Sequence, residues 1–184
     1  MIKNCLTLIL PILYFTVSVN GELPLNKKPP LLELKEKCGG RLNGTPWSSA
    51  EITGKVYSCY YIDPDEADLN EPLFTALKAE DFPKKRVQSV AIINMKATWL
   101  PKTILNLLLK RKQKKYSSTT YVNDYCRKGV TEWNLADHSS DVLIFGPTGD
   151  VLFSKDGKLT DGEIKKVISI IWNALGGKES GAND

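Results

Sequence analysis

The stretch that most constrains this chain is Asp141 to Leu175. Val142-Leu143-Ile144-Phe145 is a short apolar run rich in β-formers, too brief for a helix, and it reads as a buried strand. Gly146-Pro147-Thr148-Gly149-Asp150 carries turn chemistry, and Val151-Leu152-Phe153-Ser154 returns as a second strand ended by Asp156-Gly157. Thr160 and Glu163 then have the spacing of a capping box. The Thr160 hydroxyl can accept from the Glu163 amide while the Glu163 carboxylate accepts from the Thr160 amide. Ile164, Val167, Ile168, Ile171, Trp172 and Leu175 form one apolar stripe at helical spacing, and Gly176-Gly177 stops the helix. A hairpin followed by such a helix buries both apolar faces only if the helix lies on the sheet.

Upstream, Val56 to Ile62 is long and β-rich enough for a central strand, ended by Pro64. A helix follows within Asp68 to Glu80, with Pro72 in its first turn and Leu73, Phe74 and Leu77 facing inward. Val87 to Ile93 is the next strand. Leu100-Pro101 opens a long helix bearing Ile104, Leu105, Leu107, Leu108 and Leu109, and Thr119 to Val122 is a further strand. Leu31 to Leu34 and a strand running to Trp47 flank the turn-rich Cys38 to Gly44, which predicts an N-terminal hairpin. Strand–helix–strand units demand right-handed parallel crossovers, and the closing hairpin adds antiparallel strands. The expected fold is therefore α/β: a mixed sheet flanked by helices, with an extra N-terminal β-hairpin. That order is thioredoxin-like.

The first residues read as a signal peptide, residues 1–21. Lys3 is the positive flank, Cys5 to Val19 is nearly unbroken apolar sequence, and Val19 and Gly21 are small enough to precede a cut near Glu22. Export to the periplasm is the expected consequence, with membrane contact only through the signal segment if it stays uncut. Residues 22–30 read as an extended lead-in, 31–175 as the thioredoxin-like domain and 176–184 as a flexible tail. Once Cys5 leaves with the signal, Cys38, Cys59 and Cys126 remain, so at most one pair can form. Cys59 lies in a strand and reads as a buried small hydrophobe. Cys38 and Cys126, both in turn-like surroundings, are the pair to expect if a disulfide forms. No Cys-x-x-Cys occurs, which removes both a dithiol centre and a zinc knuckle.

A net charge of +4 suggests no nucleic-acid partner. The basic run Lys110 to Lys115 falls at a helix C-terminus, where the macrodipole favours cations, and reads as a solvated face rather than an anionic-surface binder. Asp63, Asp65 and Asp68, with Glu66 and Glu71, offer oxygens to a hard cation. They lack the glycine and distal glutamate of an EF-hand loop, and acidic residues favour a helix start without any ion. No metal and no cofactor is expected. His138 has Asp137 and Ser139 as neighbours, but contiguous residues of an extended segment point apart, so no catalytic triad is read there.

Ala91-Ile92-Ile93-Asn94-Met95-Lys96-Ala97-Thr98-Trp99-Leu100-Pro101 and Trp133-Asn134-Leu135-Ala136-Asp137-His138-Ser139-Ser140-Asp141-Val142-Leu143-Ile144-Phe145 together resemble the YtfJ-type family of exported bacterial proteins. Gly54-Lys55 and Lys155-Asp156-Gly157 match as well, and the likeness spans about Leu31 to Leu175. It implies a thioredoxin-like fold and a periplasmic home, and brings no activity or catalytic residues.

In a working thioredoxin a thiol pair follows the central strand. Here that place holds Asp63-Pro64-Asp65-Glu66, and Ser139-Ser140-Asp141 stands where a cis-proline would precede the hairpin strand. Thiol–disulfide exchange is therefore not expected there. The edge remains a candidate binding surface, formed by Tyr61, Asp63, Asn94, Thr98, Trp99, Asp137 and Ser140. For each, a turn, capping or packing role is the competing explanation. The expected function is non-catalytic binding of an unknown protein or small ligand in the periplasm; the alternative is a thiol-based redox enzyme using Cys38 or Cys126.

Overall fold

The computed structural model describes residues 21–177. The proposed signal segment before Gly21 and most of the tail lie outside the described residues. Among the described residues, eight strands and four α-helices form in the order β1 (Glu33–Leu34), β2 (Gly39–Arg41), β3 (Trp47–Ser48), β4 (Val56–Ile62), α1 (Glu71–Ala79), β5 (Val87–Asn94), α2 (Lys102–Lys115), β6 (Thr119–Asp124), α3 (Lys128–Trp133), β7 (Ser140–Phe145), β8 (Val151–Lys155) and α4 (Asp161–Ala174).

The main sheet has six strands in the order β2-β6-β5-β4-β7-β8. β4, β5 and β6 are parallel, and β2, β7 and β8 are antiparallel to their neighbours. Strand order moves in one direction from β4 through β5 to β6. Two right-handed crossovers in the same direction place α1 and α2 on the same face of the sheet. The C-terminal helix α4 joins them there. Its capping box forms as expected, with the Glu163 amide donating to Thr160 Oγ1 at 3.3 Å and the Thr160 amide to Glu163 Oε2 at 2.8 Å.

Period-2 alternation divides the core in two. Val56, Tyr60, Ile62, Ala91, Ile93, Val142 and Ile144 face the three helices and pack on Leu73, Leu105, Leu109, Ile164, Val167 and Ile171. Cys59, Tyr61, Val90, Ile92, Val122, Leu143 and Phe145 face the other way. That second face is covered by Leu23, Leu32, Leu34, Trp47, Trp133 and Leu135.

The N-terminal segment is more divided than a single hairpin. β1 and β3 pair as a small antiparallel sheet of their own, as expected. The turn-rich Gly39 to Arg41 between them forms β2 and joins the main sheet beside β6. Gly39 and Gly40 hold φ of 133° and 130°, and a Cβ on Gly39 would lie 1.9 Å from the Asn123 carbonyl oxygen. Only glycine allows the backbone this close an approach, which is why the stretch looks like a turn in sequence. The expected lead-in is likewise in place against the domain. Leu23 is buried, and the backbone of Asn26 and Lys27 bonds to Val151 at the outer edge of β8.

Candidate functional site

The carboxyl ends of the parallel strands converge with the start of β7. Register sets Ile62 beside both Ile93 and Ser140, and Asn94 beside Asp124. Strand ends of this kind carry the loops of an α/β fold, so side chains just beyond them meet at one edge.

Asp63 is the first residue past β4. It is buried, and its amide donates to the Ser139 carbonyl at 2.8 Å. Its Oδ1 accepts from the Asp65 amide at 2.8 Å, closing the single 3-10 turn that Pro64 begins. Its Oδ2 lies 3.3 Å from His138 Nδ1. Asn94, at the end of β5 and also buried, donates from Nδ2 to Asp137 Oδ1 at 2.8 Å. Asp137 Oδ2 in turn pairs with Arg127 at 2.6 Å and stands 3.8 Å from His138 Nε2. Thr98 Oγ1 donates to Asp65 Oδ1 at 2.9 Å, and the adjoining Trp99 is 84% exposed. The edge thus presents an imidazole held between two carboxylates, a guanidinium and a bare indole.

Asp63, Asn94 and Asp137 therefore meet around His138, Thr98 joins through Asp65, and Trp99 follows Thr98 with its indole in solvent. Tyr61 and Ser140 do not reach the surface: they are 1% exposed each. Tyr61 points to the second core face and donates its hydroxyl to Asp124 Oδ2 at 3.1 Å. Burial first, then the Asp124 carboxylate, keeps its phenol well above the ordinary range. Ser140 takes part in a buried tie: Asn70 Nδ2 donates to Ser140 Oγ at 3.4 Å and to the Gly157 carbonyl at 3.1 Å, and Asn70 Oδ1 accepts from the Leu159 amide at 3.0 Å. The two side chains lie on opposite faces of the sheet, Tyr61 on the second face and Ser140 on the helix side beside Asn70.

Three further residues stand at the edge that the sequence pattern does not assign to it: His138, Arg127 and Asp65. Contiguous residues of an extended segment point apart, which argues against grouping His138 with its neighbours. Its φ of 56° breaks that extended run, and the ring lies within reach of both Asp63 and Asp137. Arg127 and Asn134, at the two ends of α3, also have positive φ, which no composition signal announces. Asp65 followed the turn logic that Pro64 signals.

Cysteine chemistry sits apart from the expected nucleophile position. Cys38 and Cys126 form a disulfide, with Cα atoms 4.9 Å apart, joining the start of β2 to the turn before α3. Cys126 is exposed and its amide donates to Asp124 Oδ1 at 3.0 Å. Cys59 is free and fully buried. Burial, reinforced by the Asp141 carboxylate, pushes its thiol well above the ordinary range, so it is inert. Among the described residues there is no cis peptide bond and no group of acidic, cysteine or histidine side chains set to hold a metal ion.

Fold and edge together define a thioredoxin-like protein with an aspartate, not a thiol, at the end of its central strand. Solved structures support that fold: a thiol-disulfide isomerase from Corynebacterium glutamicum superposes with a TM-score of 0.56 at 16% identity, covering 78% of this chain and 96% of that one. The thioredoxin domain of a thiol-disulfide oxidoreductase from Bacteroides vulgatus gives 0.55 at 12% identity, covering 80% and 96%. The chain belongs to the YtfJ family, described as bacterial protein of unknown function (YtfJ_HI0045), whose model matches residues 20–174. An uncharacterized Haemophilus influenzae protein is 28% identical over 179 residues, covering 92% of this chain and 96% of the relative. The uncharacterized protein YtfJ of Escherichia coli is 27% identical over 133 residues, covering 70% and 72%.

Proposed function

We propose that this chain is an exported, periplasmic binding protein that engages a partner or small ligand at the Asp63–Asn94–Asp137 edge without thiol exchange there. The observation that carries the reading is the substitution of chemistry at an intact scaffold position. Buried Asp63 faces His138 where a helix-start thiol would act, and Trp99, next to the Thr98 that bonds Asp65, is 84% exposed. A large indole left in solvent next to ordered charged groups is the composition of a recognition patch, since aromatic and arginine side chains dominate binding energy.

The test uses the chain from Glu22 onward as bait in periplasmic extract, followed by identification of what is retained. Capture of one identified molecule, lost in Trp99→Ala and Asp137→Ala and kept in the exposed control Leu107→Ala, supports the reading. Turnover of an insulin-type disulfide substrate by the same protein rejects it.

A second reading has a specific observation in its favour, the exposed Cys126 half of the disulfide. In that reading a partner thiolate attacks one sulfur of Cys38–Cys126. The bond breaks to a mixed disulfide and a released thiolate, and a second partner thiol resolves it, so two partner thiols are oxidised as the pair is reduced. Equilibration with a glutathione buffer separates the two. A pair reduced within the range of redox-active proteins favours exchange, and one that stays oxidised favours a static cross-link.

A further inference from the structure

The most unusual group outside the edge is Asp141. It lies in β7, is 0% exposed, and belongs to the second core face. Its Oδ1 accepts a long bond from the Ala136 amide at 3.4 Å, while Oδ2 has no hydrogen-bond partner among the described residues. Its charged neighbours are of its own sign. Pairing of Val142 with Lys155 sets Asp156 directly across from Asp141, and both Asp156 and Glu22 act against its ionisation. A buried carboxylate with one oxygen left without a donor is costly, and natural proteins almost always satisfy it.

The beginning of the described chain arrives at this spot. Asn26 donates to the Val151 carbonyl and Val151 to the Lys27 carbonyl, at 2.8 and 3.0 Å. One turn further out, the Leu23 amide donates to Ser154 Oγ at 2.7 Å, and Lys155 Nζ stands 3.8 Å from Glu22 Oε1. The lead-in therefore runs antiparallel along β8 toward Asp156. Gly21 ends the run, buried against Ala136: a Cβ there would lie 2.6 Å from the Ala136 nitrogen. That nitrogen is the one that donates to Asp141.

We propose that the α-ammonium group created when the chain is cut between Gly21 and Glu22 is the missing partner of the Asp141 carboxylate. The inference rests on the export reading. Hydrolysis adds one water across the peptide bond. Gly21 keeps the new carboxylate and leaves with the leader, and the Glu22 amine takes up a proton. A neutral amide with one N–H becomes a cation with three donors, beside an acid that has an empty acceptor. Removal of Gly21 also clears the space packed against Ala136. Processing then converts a buried liability into an ion pair, and the cut chain is more stable than the uncut one.

The experiment compares the Glu22-start protein with a free and with an acetylated amino group, in wild type and in Asp141→Asn. Acetylation is expected to raise the unfolding equilibrium constant at least tenfold in wild type and less than threefold in Asp141→Asn. At pH 7 the free amine of the wild-type protein is expected to be acylated at least tenfold more slowly than in urea-unfolded protein, a comparison that needs no variant. Equal acetylation effects in both proteins, or native reactivity equal to unfolded, overturns the pairing. Intact mass of the protein recovered from cells reads the processing separately. A chain starting at Glu22 without coupling overturns the latch and leaves export standing, whereas any other start overturns the latch as a property of the exported protein.

Discussion

The Cys38–Cys126 disulfide closes a loop with a sequence separation of 88 residues. That loop contains β2 through β6 and both crossover helices, so it restrains most of the sheet in the unfolded chain. Loop-closure entropy for this length amounts to about 4.6 kcal/mol at 25 °C. The native side adds little strain-free extra, since β2 is already held beside β6 through Gly39, Gly40 and Arg41. Replacing both cysteines with alanine is therefore expected to lower stability by roughly 4–5 kcal/mol and the melting temperature by roughly 10–15 °C. The assay is urea denaturation of the oxidised protein and the double variant, followed by two optical probes. The slope m is expected to rise in the variant, because an uncrosslinked unfolded chain exposes more surface. A loss below about 1 kcal/mol would refute the idea that this bond works on the unfolded ensemble.

Two further predictions concern the second core face. In a chain that retains residues before Glu22, burial, then Asp156, raise the Asp141 carboxyl to about 8 from its ordinary 3.8. The folded protein then keeps a proton that the unfolded chain has lost, so stability falls as pH climbs from about 4 to 8, by about 1.4 kcal/mol per pH unit at most. Denaturation series at pH 5, 6 and 7 are expected to show that decline in the wild-type chain and its absence in Asp141→Asn; parallel profiles would sink the reasoning. Gly129→Ala places a Cβ 2.2 Å from Tyr61 Cε2 and pushes the ring off its bond to Asp124. A loss of roughly 2–4 kcal/mol is expected by thermal or urea unfolding, and a variant within about 1 kcal/mol of wild type contradicts it.

The scaffold was legible where local signals agreed. The Val142–Phe145 and Val151–Ser154 runs, the Thr160–Glu163 box and the stripe from Ile164 to Leu175 all form as read. β2 was hidden because its glycines serve close backbone approach, a feature shared with turns. At the edge, residues lying at strand ends could be grouped from topology alone, and Asp63, Asn94 and Asp137 do meet. Side-chain direction could not be grouped in that way. Both faces of β4 and β7 are covered, so Tyr61 on one face and Ser140 on the other are buried whichever way they point. His138 joined the cluster through a left-handed backbone that sequence pattern does not encode.

Because both crossover helices took one side of the sheet, the other side had to be roofed by pieces drawn from far apart. Leu23, Leu32, Leu34 and Trp47 come from the amino end, while Trp133, whose indole donates to the Pro30 carbonyl at 2.7 Å, comes from well past the middle. In a chain made or delivered amino end first, these early apolar residues wait for the surface they are to cover. Contacts of such long reach are slow to form, so this layer is expected to close last and to be the place where a delayed chain sticks to others.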